Sequence, residues 1–140
     1  MNSDTNCRIV IRHDNQTLID SKVLRCHDSR VDTFSMDFEH RSLTVVPTDS
    51  DFTNIRKIRF MDVIVCLMTG AEPWSHDCFI FDWQYLRDEE VKDLYALALH
   101  RCDKESMPDL SQMVCSEIVF KSGASIRVIC GSVLVDRINH

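Results

Sequence analysis

The stretch CSEIVFKSGASIRVICGSVLVDRI (115–138) decides the fold of this 140-residue chain. It contains three short runs rich in β-branched residues, which the dipeptides Ser122–Gly123 and Gly131–Ser132 separate. Glycine readily takes the positive φ that tight hairpin turns require, and β-branched side chains fit a pleated sheet. The pattern therefore predicts an antiparallel meander of three strands at the end of the chain.

A second hairpin is predicted at residues 31–46. Phe34, Met36 and Phe38 alternate with polar residues, and this period of two is typical of a half-buried strand. A polar turn at 39–42 and another apolar run follow it. We expect the three apolar side chains to lie on one face of the first strand, toward the core.

The apolar segment IRKIRFMDVIVCLM (55–68) is interrupted by a single acidic residue, Asp62. We expect either one strand buried on both faces or one strand with a bulge near Met61–Asp62. Residues 7–12, CRIVIR, predict one more strand near the start of the chain.

The segment DEEVKDLYALALHRC (88–102) predicts the main helix. Acidic residues at its start and His100 and Arg101 at its end suit the helix dipole. The apolar stripe, repeating at spacings of three and four, consists of Val91, Leu94, Tyr95, Ala98 and Cys102.

These elements together predict an α+β fold in a single globular domain over residues 1–140. It is mainly antiparallel β, with about seven or eight short strands and one main amphipathic helix near 88–102. The composition, 44% hydrophobic and 27% charged, is that of an ordinary globular protein.

The chain is acidic, with 16 Lys and Arg against 22 Asp and Glu and a net charge of −6. The acids concentrate in residues 28–51 and 82–105, whereas Arg56, Lys57 and Arg59 form the densest basic group. Nucleic-acid-binding proteins carry a basic patch or stripe, so we expect no nucleic-acid partner. The acidic regions indicate either a solvated surface or a face that attracts basic proteins.

The first ten residues, MNSDTNCRIV, do not have the pattern of a signal peptide. We also find no apolar run of the roughly 20 residues that a membrane span requires. We therefore expect a cytoplasmic location and no membrane partner. The seven cysteines are then expected to be free thiols, mostly buried, in a reducing compartment.

Motifs for catalysis and for cofactors are missing from the sequence. Three glycines cannot form the phosphate-binding loop or the dinucleotide fingerprint, and no G-x-S-x-G elbow occurs. Cysteine and histidine never pair at the usual zinc spacings. We expect no enzyme, no cofactor and no metal. The alternative is a small enzyme with a Cys/His site at His76 and Cys78, whose side chains can share one face of a strand.

Two stretches carry a family resemblance: CHDSRVDTFSMDFEHRSLTVV (26–46) and EIVFKSGASIRVICGSVLV (117–135). Between them lie IRFMDVIVCLM (58–68) and the predicted helix. This order resembles small bacterial immunity proteins that are encoded beside polymorphic or contact-dependent growth-inhibition toxins. The resemblance implies a cytoplasmic antitoxin that binds the C-terminal domain of a cognate toxin, which is in many cases a basic nuclease. It assigns no catalytic role to the triplet His27, Asp28 and Ser29.

The side chains that we expect at the partner interface are acidic residues of loops, together with an exposed tryptophan of the kind that anchors interfaces. A further alternative is a regulatory or structural protein that self-associates through a free strand edge. The identity of the toxin and the oligomeric state stay open. The predicted partner-binding residues are Asp49, Asp51, Glu72, Trp74 and Asp77.

Overall fold

A computed structural model describes residues 5–21, 24, 26–48, 54–70, 79–99 and 109–139. The described part contains one α-helix, α1 (Asp88–Leu99), and two 3₁₀ helices, His13–Asp20 and Leu110–Gln112. Its nine strands are β1 (Thr5–Ile11), β2 (Val31–Asp37), β3 (Ser42–Pro47), β4 (Ile55–Met61), β5 (Val65–Thr69), β6 (Ile80–Tyr85), β7 (Val114–Phe120), β8 (Ser125–Cys130) and β9 (Ser132–Asn139).

The strands form two antiparallel sheets. The five-stranded sheet has the order β1-β9-β4-β3-β2, and the four-stranded sheet has the order β5-β8-β7-β6. The predicted α+β class with mainly antiparallel strands is therefore confirmed in outline. The strand count was too low, because the described residues already contain nine strands where seven or eight were expected.

Residues 55–68 do not form the single strand that the sequence predicts. They form β4 of one sheet and β5 of the other, and the chain changes sheet at Asp62, whose φ is 54°. The predicted three-stranded meander at the end of the chain is wrong in its last strand: β8 pairs with β7, but the chain then passes at Gly131 into β9 of the other sheet. The Gly131 N–H donates to the Met61 carbonyl at 2.9 Å. A Cβ on Gly131 would lie 3.2 Å from the Cβ of Asp62. Two strand pairs thus turn the same tight corner together.

The main core lies between the two sheets. Ile58 and Phe60 of β4 face the four-stranded sheet, where Ile118 and Ile126 belong to the same cluster of buried side chains. Phe60 meets Trp83 edge-to-face, with ring centroids 6.2 Å apart. Close packing of large apolar side chains from both sheets supplies the main driving force for folding.

Helix α1 covers the outer face of the four-stranded sheet. Its Leu94 packs in a second cluster with Cys115 of β7, Ile129 of β8 and Met113, which directly precedes β7. β7 and β8 are consequently buried on both faces. The predicted amphipathic helix is confirmed over Asp88–Leu99, and residues 100–102 of the prediction lie outside the described residues.

Candidate protein-binding surface

The five side chains predicted to contact a partner lie outside the described residues, as do His76 and Cys78 of the alternative enzyme site. The structure therefore describes no arrangement among them. The predicted partner-binding residues are Asp49, Asp51, Glu72, Trp74 and Asp77.

The β2–β3 hairpin exposes large apolar side chains. Its pairing confirms the predicted hairpin, with Phe34 opposite Val45 and Met36 opposite Leu43. Phe34 packs against the main core, but Met36 is 42% exposed and Phe38, the first residue of the turn, is 85% exposed. The expectation that all three alternating side chains face the core was therefore correct only for Phe34.

The exposure follows from the path of β2 across the four-stranded sheet. Arg30, just before β2, forms a bridge with Phe79, just before β6. At the other end, Met36 lines a cavity together with Cys66 of β5. Because β6 and β5 are the two edges of that sheet, β2 crosses it from edge to edge. The tip of the hairpin thus reaches the margin of the core.

A small cavity of about 150 Å³ lies beside this tip. We call it the hairpin groove and define it by its apolar lining: Met36, Phe38, Leu43, Val63 and Cys66. Phe38, Met36 and the rest of the lining of the groove together form one contiguous apolar patch, and such patches, rather than single exposed side chains, mark interaction sites.

The turn that carries Phe38 is held in one conformation. The Asp37 carboxylate accepts hydrogen bonds from the backbone N–H of His40 at 3.1 Å and from its Nδ1 at 2.8 Å. These bonds lower the pKa of Asp37 below its ordinary value. Arg41, with φ of 50°, completes the turn, and its carbonyl accepts from the Val63 N–H at 2.8 Å. A fixed turn presents its anchor side chain with little entropy left to lose on binding.

The start of β2 is tied to the other sheet through the His27, Asp28 and Ser29 triplet. The Ile80 N–H donates to the Ser29 carbonyl at 2.7 Å, and the Asp28 N–H donates to the Ile80 carbonyl at 2.8 Å. The Asp28 carboxylate forms an ion pair with Lys121, which lowers its pKa. His27 lies against Phe81, with ring centroids 5.5 Å apart. These contacts of the triplet hold the start of β2 against β6 of the four-stranded sheet.

β2 is an edge strand of the five-stranded sheet. Within the described residues it pairs along its length with β3 alone, and the bridge at Arg30 lies before its first residue. Its sequence, VDTFSMD, contains neither lysine nor proline, so its protection is limited to the charges of Asp32 and Asp37 and to an irregularity near its start. An extended segment of another protein can add to this edge by backbone hydrogen bonding.

The charge of the hairpin is mostly negative. Asp32 and Asp37 belong to β2, and Glu39 follows in the turn, where Arg41 is the one formally cationic side chain of residues 31–41. Asp37 and Arg41 both line the apolar groove beside Phe38, so the acidic excess belongs to the hairpin as a whole. That combination suits a partner with an apolar pocket and a basic rim.

Four of the five described cysteines are poor candidates for catalysis. All five are free thiols, and burial raises the pKa of Cys26 to about 12 and that of Cys115 to about 11. Burial likewise raises the pKa of Cys66 and of Cys130. A reactive cysteine needs the opposite shift. No group of three His, Cys, Asp or Glu side chains within the described ranges is placed to hold a metal ion.

Comparison of the chain with protein-family models, with curated proteins and with solved structures finds no match in any of the three. In the described part of the chain, no helix has both the length and the apolar character needed to cross a membrane.

The predictions made from the sequence did not include Phe38 and Met36 as surface residues. The available signal was the position of Phe38 directly before a polar turn.

Proposed function

We propose that this chain is a non-enzymatic binding protein that neutralises a cognate toxin domain by forming a stoichiometric complex in the cytoplasm. The contact surface is the hairpin groove together with the free edge of β2. The observation that carries the proposal is the 85% exposure of Phe38 on a fixed turn beside an apolar groove. The resemblance to immunity proteins supplies the class of partner.

Phe38 is suited to act as the anchor of the interface. Full burial of a phenylalanine side chain stabilises a complex by roughly 1.5–3 kcal/mol, and aromatic side chains in central pockets dominate binding energies. Met36 beside it adds a flexible apolar contact that adapts to the shape of the partner. The partner pocket is expected to enclose both side chains.

The edge of β2 supplies the rest of the contact. A stable interface buries about 800 Å² on each partner, which is more than one turn provides. A strand added along Val31–Asp37 extends the contact by backbone hydrogen bonds and brings partner side chains over Asp32 and Asp37. The negative charge then favours a basic toxin and accelerates association at low salt.

To test the proposal, the tagged protein is used for affinity capture of its partner from a host that expresses the toxin locus. The partner is then produced separately, and affinity and stoichiometry are measured with purified proteins. The Phe38→Ser variant is expected to bind at least about tenfold more weakly, since it removes a central aromatic anchor. Leu97→Ser is the matched control, because Leu97 is 47% exposed on α1.

Three results decide this experiment. A one-to-one complex that Phe38→Ser weakens and Leu97→Ser does not supports the proposal. Equal affinities of Phe38→Ser and the unchanged chain overturn the assignment of the hairpin groove. Recovery of no stoichiometric partner from a host that expresses the toxin overturns the neutralising function itself.

A second candidate function is self-association through the same β2 edge. The specific observation in its favour is that β2 is an edge strand without lysine or proline, and an edge strand can pair with its own copy. Light scattering over a wide concentration range separates the two functions. A monomer at all concentrations excludes self-association, whereas a dimer that Ser35→Pro abolishes favours it, since proline removes a backbone donor.

A further inference from the structure

A basic cleft lies at the end of the five-stranded sheet where β1, β4 and β9 meet. It has a volume of about 430 Å³. The chain as a whole carries a net charge of −6, so this concentration of positive charge stands out. The lining of the basic cleft consists of Cys7, Arg8, Val46, Arg56, Lys57, Asp136 and Arg137.

An irregularity in β4 gathers the positive charge. Ile55 is paired with Arg137 and Lys57 with Asp136, so Arg56 is an extra residue with no partner position in β9. In a regular strand Arg56 and Lys57 would point to opposite faces, but here both line the cleft. Bulges of this kind redirect side chains and occur often next to functional sites.

Among the described residues, one acid lines the cleft, and a neighbouring arginine already pairs with it. Arg8 Nε lies 2.7 Å from Asp136 Oδ1, and this ion pair lowers the pKa of Asp136. Arg56 and Lys57 form no ion pair within 4.0 Å with any described residue, although the charge of Lys57 also contributes to the lowered pKa of Asp136. Arg137 is positioned by its Nε–H, which donates to Cys7 Sγ at 3.2 Å. The cleft therefore keeps positive charge that its own carboxylate does not offset.

We propose that the basic cleft binds a phosphate group, presented either by a small phosphorylated molecule or by the 5′ end of a short oligonucleotide. Guanidinium groups donate paired hydrogen bonds that match phosphate oxygens, and an ammonium adds a point charge. Two or more cations lie in the cleft beyond the Arg8–Asp136 pair. Their charge matches a ligand that is a phosphate monoester dianion better than a ligand that carries a single carboxylate. The volume is within the range of small-molecule sites.

The site is independent of the proposed toxin-binding function. Its residues come from β1, β3, β4 and β9, and it shares no residue with the hairpin groove. Val46 and the aliphatic stems of the arginines provide an apolar wall for the group that carries the phosphate. A ligand at this site can therefore be present while a partner occupies the hairpin.

Titration calorimetry of the full chain tests the proposal. The probes are inorganic pyrophosphate, adenosine 5′-monophosphate and a short single-stranded oligonucleotide with and without a 5′-phosphate, all at constant ionic strength. Acetate and adenosine serve as controls for charge and for the nucleoside. We expect the phosphate-bearing probes to bind and the controls not to bind.

The test variant is Arg56→Gln/Lys57→Gln, and Arg30→Gln/Lys92→Gln is the matched control that removes the same formal charge elsewhere. Arg56 and Arg30 are both exposed. The test variant is expected to lose at least about tenfold in affinity for pyrophosphate, since each charge-assisted hydrogen bond is strong. Circular dichroism melting confirms that both variants fold.

The outcomes distinguish the source of the phosphate. Tight binding of adenosine 5′-monophosphate identifies a small ligand, and preference for the 5′-phosphorylated oligonucleotide over the unphosphorylated one identifies a terminal phosphate. Either result supports the proposal. Equal binding of the two oligonucleotides, equal losses in both double variants, or binding of acetate as strong as that of pyrophosphate overturns it.

Discussion

Glycine is required at Gly70 for two separate reasons. Its φ is 84°, and a Cβ placed there would lie 2.8 Å from the Cβ of Ala124. Gly123 has a similar φ of 94° but nothing within 4 Å of the added atom. The two positions therefore separate the effect of backbone strain from the effect of steric overlap.

We predict that Gly70→Ala destabilises the protein more than Gly123→Ala does. Positive φ alone costs about 1–2 kcal/mol in either variant. Overlap with a buried neighbour adds roughly 1–3 kcal/mol at Gly70 only. Urea denaturation of both variants and of the unchanged chain measures the difference in the free energy of unfolding. Equal losses would show that Ala124 moves away without cost.

Phe38 shows where residue patterns stop being informative. The alternation predicts that Phe38 lies on the same side as Phe34 and Met36, and Met36 and Phe38 do line one cavity, whereas Phe34 packs in the core. Whether that side is covered depends on where the opposite sheet ends, which is a property of the assembled fold. The partner-binding residues predicted from loops lie outside the described residues, so this part of the prediction stays a prediction.

The elements that sequence patterns predicted are those with local signals. The 31–46 hairpin, helix α1 and the β7–β8 hairpin each have a period and a turn or cap of their own. The predicted third strand of the final meander, β9, joins the other sheet, and which sheet a strand joins is not encoded in its own pattern. The change of sheet at Asp62 has only a partial signal, the acidic interruption that predicted a bulge, because the corner itself is formed with Gly131 from a distant part of the chain. The irregularity at Arg56 cannot be predicted from the sequence of β4 alone, because it is a shift in register relative to the paired strand β9.

Helix α1 depends on packing against the four-stranded sheet more than on its own propensity. Leu94 is 2% exposed, whereas Leu97, one turn further on, is 47% exposed. We predict that Leu94→Ala lowers the free energy of unfolding by roughly 2–5 kcal/mol, since it leaves a cavity in a packed layer.

Leu97→Ala is the control for this prediction. It makes the same chemical change on the same helix, so helix propensity is altered equally in both variants. We expect a change within about 0.5 kcal/mol for this exposed site. Chemical denaturation of the two variants checks the pair. Similar losses in both would mean that α1 does not pack through Leu94.

On the scale of the whole molecule, charge is distributed unevenly over the layers. The outer end of the five-stranded sheet carries the basic cleft, while the β2 edge carries Asp32 and Asp37. A protein with this distribution can present two different surfaces to two different ligands. The net charge of −6 alone did not indicate this.

The carboxylates that make ion pairs predict acid sensitivity. The pKa of Asp28 is lowered by Lys121, that of Asp37 by His40 and that of Asp136 by Arg8. A lowered folded pKa means that the unfolded chain binds more protons, so stability falls as the pH falls below the ordinary value of 3.8.

The buried thiols predict a second loss at alkaline pH. The folded pKa values of Cys26 and Cys115, about 12 and about 11, exceed the ordinary value of 9.0. The unfolded state then releases protons first, and stability falls as the pH rises above 9.0. Urea denaturation across the pH range is expected to give a plateau with two falling limbs. If the free energy of unfolding does not fall below pH 3.8, the result contradicts the carboxylate ion pairs; if it does not fall above pH 9.0, the result contradicts the burial of the thiols.

Hydrogen–deuterium exchange of the chain, alone and in complex with its recovered partner, tests the central claim most directly. The hairpin account predicts new protection in β2 and its turn, residues 31–41, because a partner strand pairs with the free edge. Protection confined to α1 or to β6, with the exchange of residues 31–41 unchanged, would contradict the account and place the partner elsewhere.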